Sequence, residues 1–283
     1  MSTNIPNFDL AEFVARVFAE DLGTGGDVTS KATIDADAVF TAEMNCREPI
    51  SVAGIDLAIA FFRELDPAME IEKLVEDGDR VGAGTVLLRL KGNARAMLAA
   101  ERSGLNTLQH LSGIATLTSR YVDKIAGTGA ILLDTRKTIP GLRALEKYAA
   151  RMGGAHNHRM RLDDGVLIKD NHVGVAGGVA EAVAKAKAYD SGLQLQVEVD
   201  RIAQIEPALQ AGAERLLLDN MKPDLLRQAV ALVAGRVPLE ASGGVNLDTI
   251  RGIAETGVNF ISVGRITQSA PAVDIGLDYV LQS

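Results

Sequence analysis

Ile131-Leu132-Leu133-Asp134-Thr135 opens a series of six short apolar runs that decides the fold of this 283-residue chain. The others are Gly165-Val166-Leu167-Ile168-Lys169, Leu195-Gln196-Val197-Glu198-Val199, Arg215-Leu216-Leu217-Leu218-Asp219, Val237-Pro238-Leu239-Glu240-Ala241 and Phe260-Ile261-Ser262-Val263-Gly264. Their starts lie 34, 30, 20, 22 and 23 residues apart. Each interval holds a helix, so the spacing is that of βα units and predicts parallel strands. Polar residues or glycine fall at the C-terminal end of every run. A barrel collects loops from all its strands at that rim, whereas an open doubly wound sheet concentrates them at one switch point. An α/β barrel of about six parallel strands is therefore the expected architecture.

Upstream the pattern differs. Phe13, Val14, Val17 and Phe18 share one face of a helix over Leu10–Glu20. Residues 38–92 read as short strands broken by turns, among them Asp77-Gly78-Asp79-Arg80-Val81-Gly82-Ala83-Gly84. This β pattern is shared with lipoyl and biotinyl carrier modules, but neither Lys73 nor Lys91 has the hairpin-tip context that a carrier lysine needs. From Ala94 to about Ala126 apolar residues recur every third position, at Leu105, Leu108, Leu111, Ile114 and Leu117, as a buried helix requires. Arg102 heads that stripe, either snorkelling to solvent or reaching a ligand.

Charge and composition exclude several classes. Lys plus Arg number 29 against 37 Asp plus Glu, a net charge of -8, which argues against a nucleic-acid binder. With 47% hydrophobic and 23% charged residues the chain is an ordinary globular protein. The single cysteine, Cys46, rules out an intrachain disulfide and a Cys-rich metal site. The N-terminus lacks a secretory signal pattern and no apolar run approaches the roughly 18 residues of a membrane span, so a cytoplasmic protein without membrane contact is expected.

The strand ends carry the chemistry. The first runs into Arg136-Lys137, two adjacent cations at the rim. Between the first and second runs comes His156-Asn157-His158-Arg159-Met160-Arg161, and the second ends in Lys169-Asp170-Asn171-His172. From Asp134 to His172 there are eight Lys/Arg against five Asp/Glu, a local +3, together with three of the four histidines. A metal site is disfavoured because Arg159 would repel the cation and no thiolate is near. An anion with more than one negative group fits better, since guanidinium forks bind carboxylates bidentately. Glu198 and Asp219 end the third and fourth runs. Each alone reads as a helix cap; as a pair they suit sugar hydroxyls or a hydrated Mg2+. Ser242-Gly243-Gly244-Val245-Asn246 and Gly264-Arg265-Ile266-Thr267 follow the last two runs, where barrel loops bind phosphate through backbone N–H groups.

Taken in order, Glu101-Arg102-Ser103-Gly104, Asp134-Thr135-Arg136-Lys137-Thr138, Gly141-Leu142-Arg143, Glu146-Lys147-Tyr148, Asn157-His158-Arg159, Leu167-Ile168-Lys169-Asp170-Asn171-His172, Glu198-Val199-Asp200, Leu218-Asp219-Asn220-Met221 and Glu240-Ala241-Ser242-Gly243-Gly244 resemble the quinolinate phosphoribosyltransferase family. The resemblance implies an N-terminal α/β sandwich domain over residues 1–112, with the tail from about 270 to 283 packing back on it, and an incomplete α/β barrel over 113–269. It implies conversion of quinolinate and phosphoribosyl pyrophosphate to nicotinate mononucleotide, pyrophosphate and CO2, with Mg2+ near Glu198 and Asp219. Thr135, Arg136, His158, Arg159 and Lys169, with Arg102 from the partner subunit of a homodimer, would bind quinolinate. Lys137, Glu198, Asp219, Ser242, Gly243, Gly244, Ser262, Val263 and Gly264 would bind phosphoribosyl pyrophosphate. Dimer and hexamer both remain open.

This chain departs from the family's pattern at Ala155 and Arg161, where glycines are usual; Arg161 either points outward or adds a cation to the pocket. The rival readings are a relative acting on another pyridine acid and a phosphate-binding barrel aldolase with Lys169 as a Schiff-base lysine.

Overall fold

The computed structural model describes residues 5, 6 and 8–280. By contacts these divide into two compact units, each with its own core. One holds the residues up to Leu117, Ala144–Gly153 and those from Ala270 onward; the other holds Thr118–Arg143 and Gly154–Ser269. The boundary expected at residues 112 and 113 lies within a single helix, Ala94–Ile125. The helix Arg143–Met152 follows the first barrel strand in sequence, yet most of it groups with the first unit, where buried Glu146 meets His110 at 2.9 Å.

The first unit begins with the helix Leu10–Leu22, capped by the Asp9 carboxylate and burying Phe13, Val14 and Phe18. Its strands are β1 (Val39–Cys46), β2 (Ile50–Ser51), β3 (Glu70–Lys73), β4 (Arg80–Val81) and β5 (Val86–Asn93). The barrel strands that follow in sequence are β6 (Ile131–Leu133), β7 (Val166–Ile168), β8 (Leu195–Val199), β9 (Arg215–Asp219), β10 (Leu239–Ser242) and β11 (Phe260–Ser262), and the chain ends in β12 (Ile275–Tyr279). In the first unit an antiparallel sheet has the order β12-β1-β5-β3, with β2 and β4 as a separate pair. One element here differs from the strand-only reading of residues 38–92: Ile55–Leu65 is a helix. Ile55, Leu57, Ala58, Ile59, Phe61 and Phe62 are buried, while Asp56, Ala60, Arg63 and Glu64 form a less buried stripe at helical spacing that the strand reading passed over.

All six apolar runs of the second unit form strands, in one parallel sheet ordered β6-β11-β10-β9-β8-β7. The first run therefore lies beside the last, and the sheet curls into a barrel left open between β6 and β7. The free edge of β6 is partly covered by the segment around His156, whose N–H donates to the Leu132 carbonyl at 2.9 Å while the Asp134 N–H donates to the His156 carbonyl at 3.1 Å. Alternation along each strand sorts the side chains. Val197, Val199, Leu216, Leu218, Leu239 and Ala241 are buried on one face. The other face carries Gln196 and Glu198, Arg215 and Asp219, and Glu240 and Ser242, so the barrel interior is polar.

Candidate active site

A cavity of about 810 Å³ opens at the C-terminal ends of the barrel strands. Thr135, Arg136, Lys137, His158, Arg159, Lys169, Glu198, Asp219, Ser242, Gly243, Gly244, Ser262, Val263 and Gly264 all line it. Every expected site residue but one thus converges. Arg102 is exposed on the helix Ala94–Ile125 and is absent from the lining.

One wall is cationic. Arg136 and Lys137 follow β6, where the Thr135 hydroxyl accepts from the Lys137 N–H at 3.0 Å and shapes the turn. The buried Nε of Arg136 has no hydrogen-bond partner among the described residues. Arg159 donates one guanidinium N–H to the Gly165 carbonyl at 2.8 Å. Burial, and then the neighbouring Arg136 charge, push its pKa down from the usual arginine range, the signature of a cation lacking its anion. Asp134, fully buried, holds this wall together: its carboxylate accepts from the His158 N–H at 2.8 Å and from the Asn157 amide.

The histidines do not form a cluster. His156 and His172 are exposed, and the His172 ring caps the helix Asp170–Ala176 by accepting the Lys169 N–H at 2.9 Å. Only His158 reaches the cavity. Arg161 points outward to Asp163 at 2.8 Å and adds no cation to the pocket, while Ala155 is buried.

The opposite wall is acidic. Glu198 is nearly buried and pairs with Lys169 at 2.9 Å. Asp219 has its pKa raised by burial and then by the adjacent Glu198 charge. Two close carboxylates thus face one lysine. Among the described residues no group of three or more His, Cys, Asp or Glu could hold a metal alone. The donor set therefore suits Mg2+ that takes most of its ligands from phosphate and water.

Two glycine turns close the cavity. Gly243 has φ +91°, and a Cβ there would lie 2.2 Å from the Asn220 Oδ1. A Cβ on Gly264 would lie 2.7 Å from the Lys137 side chain. Gly243 needs glycine for its backbone and its space, whereas a Cβ at Gly264 would require only that the flexible Lys137 side chain move aside. Asn220 itself is left-handed at φ 56°, fixed by its N–H to the Ser242 carbonyl at 2.8 Å and its amide to Asp219 at 2.6 Å.

Sequence reasoning did not assign Glu240, Asn220, Arg265 or Gln268 to the site, although all four line it. For Glu240 a signal existed: it stands two residues before Ser242, on the same strand face.

Cations on one side, carboxylates on the other and glycine turns beside both make this a barrel for glycosyl transfer between two small anions. Comparison with known proteins makes the family specific. The model of the quinolinate phosphoribosyl transferase N-terminal domain matches residues 27–112 and that of the C-terminal domain residues 114–278. A nicotinate-nucleotide pyrophosphorylase [carboxylating] of Mycobacterium leprae (strain TN) is 44% identical, over 96% of this chain and 98% of its own. A mitochondrial quinolinate phosphoribosyltransferase [decarboxylating] of Nicotiana glauca is 43% identical, over 96% of this chain and 82% of its own. The solved nicotinate-nucleotide pyrophosphorylase of Francisella tularensis superposes with a TM-score of 0.92 at 41% identity, covering 99% of this chain and all of that one. The chain belongs to the quinolinate phosphoribosyltransferase family. Its resemblance to carrier modules is accordingly one of strand pattern alone.

Proposed function

We propose that the chain converts quinolinate and phosphoribosyl pyrophosphate to nicotinate mononucleotide, pyrophosphate and CO2, in the de novo synthesis of NAD. The observation that carries this reading is the pairing of Arg136 and Arg159, one with an unpartnered Nε and the other with a lowered pKa, at the mouth of a cavity whose far wall bears Glu198 and Asp219. Two guanidinium groups suit the adjacent carboxylates of quinolinate. Lys169 joins them by leaving Glu198, and Thr135 lies alongside.

The quinolinate nitrogen attacks the anomeric carbon as the bond to pyrophosphate breaks. Lys137 neutralises the departing charge, while Glu198 and Asp219 hold ribose hydroxyls and favour the positive charge that develops on the sugar ring. Ser242, Gly243, Gly244, Ser262, Val263 and Gly264 cradle the 5-phosphate. Alkylated nitrogen is cationic, so the electron pair left at the neighbouring carbon when CO2 departs is stabilised in place, and that carbon then takes a proton. Mg2+ held near Glu198 and Asp219 would neutralise pyrophosphate oxygens.

Arg102, exposed on its helix, is assigned to the partner subunit's site in a homodimer, with assembly to a hexamer compatible. Among the described residues no helix is long and apolar enough to cross a membrane. A cytoplasmic location, without nucleic-acid or membrane partners, is part of the same reading.

The test is a comparison of acceptors. Purified protein with Mg2+ and phosphoribosyl pyrophosphate should release pyrophosphate with quinolinate and show at least about a hundredfold lower kcat/KM with nicotinate, which lacks one carboxylate, a loss near 3 kcal/mol. Equal use of both acids would overturn the dicarboxylate assignment.

A further inference from the structure

The motif Gly141-Leu142-Arg143 has no part in the chemistry proposed above, yet Arg143 stands where a cation is out of place. It opens the helix Arg143–Met152, at the end where the helix dipole favours an anion. Arg143 is half-buried and is not among the residues that line the cavity. Its guanidinium bridges two segments well separated in sequence. Nε donates to the Thr138 hydroxyl at 3.1 Å, and Nη1 donates to the Met160 carbonyl at 3.2 Å. Both acceptors are neutral, so these bonds fix geometry without cancelling charge.

Each end of the bridge adjoins the cationic wall. Thr138 follows Lys137, and its N–H donates to the Arg136 carbonyl at 3.0 Å. Met160 follows Arg159. On the other side of Arg159, the His158 N–H donates to the Asp134 carboxylate at 2.8 Å. Arg159 therefore stands between two anchors, Asp134 before it and Arg143 after it, and both belong to the stretch of chain that leaves β6. Two further bonds shape the loop from within: the Met160 N–H donates to Asp164 at 2.6 Å, and the Arg159 side chain donates to the Gly165 carbonyl at 2.8 Å. Lys137 has separate holds, its N–H on the Thr135 hydroxyl at 3.0 Å and its carbonyl on the Thr267 hydroxyl at 2.8 Å.

We infer that Arg143 is a positioning residue for the transferase reaction: it braces the turn after β6 against the segment of Arg159 and so sets the spacing of Arg136 and Arg159, the two guanidinium groups that grip the paired carboxylates. The inference rests on the function proposed above and adds to it a residue that acts through others.

Arg143→Met removes both bonds. The quinolinate KM should rise about tenfold with kcat within about twofold, the pattern of a grip lost equally in the ground and transition states. The KM for phosphoribosyl pyrophosphate should also stay within about twofold, because Lys137 keeps its own holds. Arg143→Lys should do no better than Arg143→Met, since an ammonium supplies the charge but not the planar fork that spans two acceptors. Thr138→Val, the milder change should Arg143→Met fail to fold, removes one acceptor and should raise the quinolinate KM about threefold. Combined with Arg143→Met it should add nothing, as two parts of one brace require. Amide hydrogen exchange over residues 157–161, measured without substrate, should quicken in Arg143→Met and in Thr138→Val.

An unchanged quinolinate KM in Arg143→Met, a parental KM in Arg143→Lys, losses that multiply in the double variant, or unaltered amide exchange would each overturn the inference. If the parent protein fails to turn over quinolinate, the proposed function falls, yet the exchange measurement still decides whether Arg143 braces the Arg159 segment.

Discussion

Glu240 shows how far a single side chain can be driven from its ordinary behaviour inside this barrel. Burial alone pushes its carboxyl up, but His158 and Arg215 outweigh burial and hold it at about 2. A carboxyl with a depressed folded pKa contributes stability that is present above its unfolded pKa and is lost as pH falls through the folded one. The window here runs from about 4.5 down to about 2. Glu240→Gln should therefore be less stable than the parent at neutral pH, and urea unfolding should show that gap closing across this window. A constant gap would mean that the native pKa of Glu240 is not depressed. That Glu240 shares a strand face with Ser242 was legible in the sequence, but its partners were not, because they depend on which residues face it across β8, β9 and β11, and register is a tertiary fact. Arg136, Lys137, Glu198 and Gly243 were legible for the opposite reason: each stands at a strand end, and strand ends are visible wherever an apolar run stops.

At the scale of elements, β6 and its covering segment organise the cationic wall. The edge of β6 left open by the incomplete barrel takes the backbone of His156, and Asp134, at the end of the strand, clamps His158 and Asn157. Asp134→Ala leaves buried donors without their charged acceptor, so unfolding free energy should drop by about 2–4 kcal/mol. The quinolinate KM should rise with it, because the clamped segment carries Arg159; a variant as stable and as active as the parent would refute the clamp. The six strands were readable because Leu, Ile and Val runs recur at βα spacing. The helix Ile55–Leu65 was legible too, through the stripe of Asp56, Arg63 and Glu64 opposite its buried face, but its short apolar stretch lies among strands and reads as one of them.

At the scale of the whole molecule, the net charge of -8 speaks for solubility and against nucleic acid, but not for the site. The cations that matter are gathered at one rim, and the acidity lies mostly on the rest of the chain. The central claim is that this rim couples glycosyl transfer to decarboxylation. Quinolinate labelled in its 2-carboxyl group measures that coupling directly. The account predicts that the purified protein releases labelled CO2 only when phosphoribosyl pyrophosphate and Mg2+ are present, one CO2 for each pyrophosphate formed. Label released without phosphoribosyl pyrophosphate, or pyrophosphate formed without label, would contradict it.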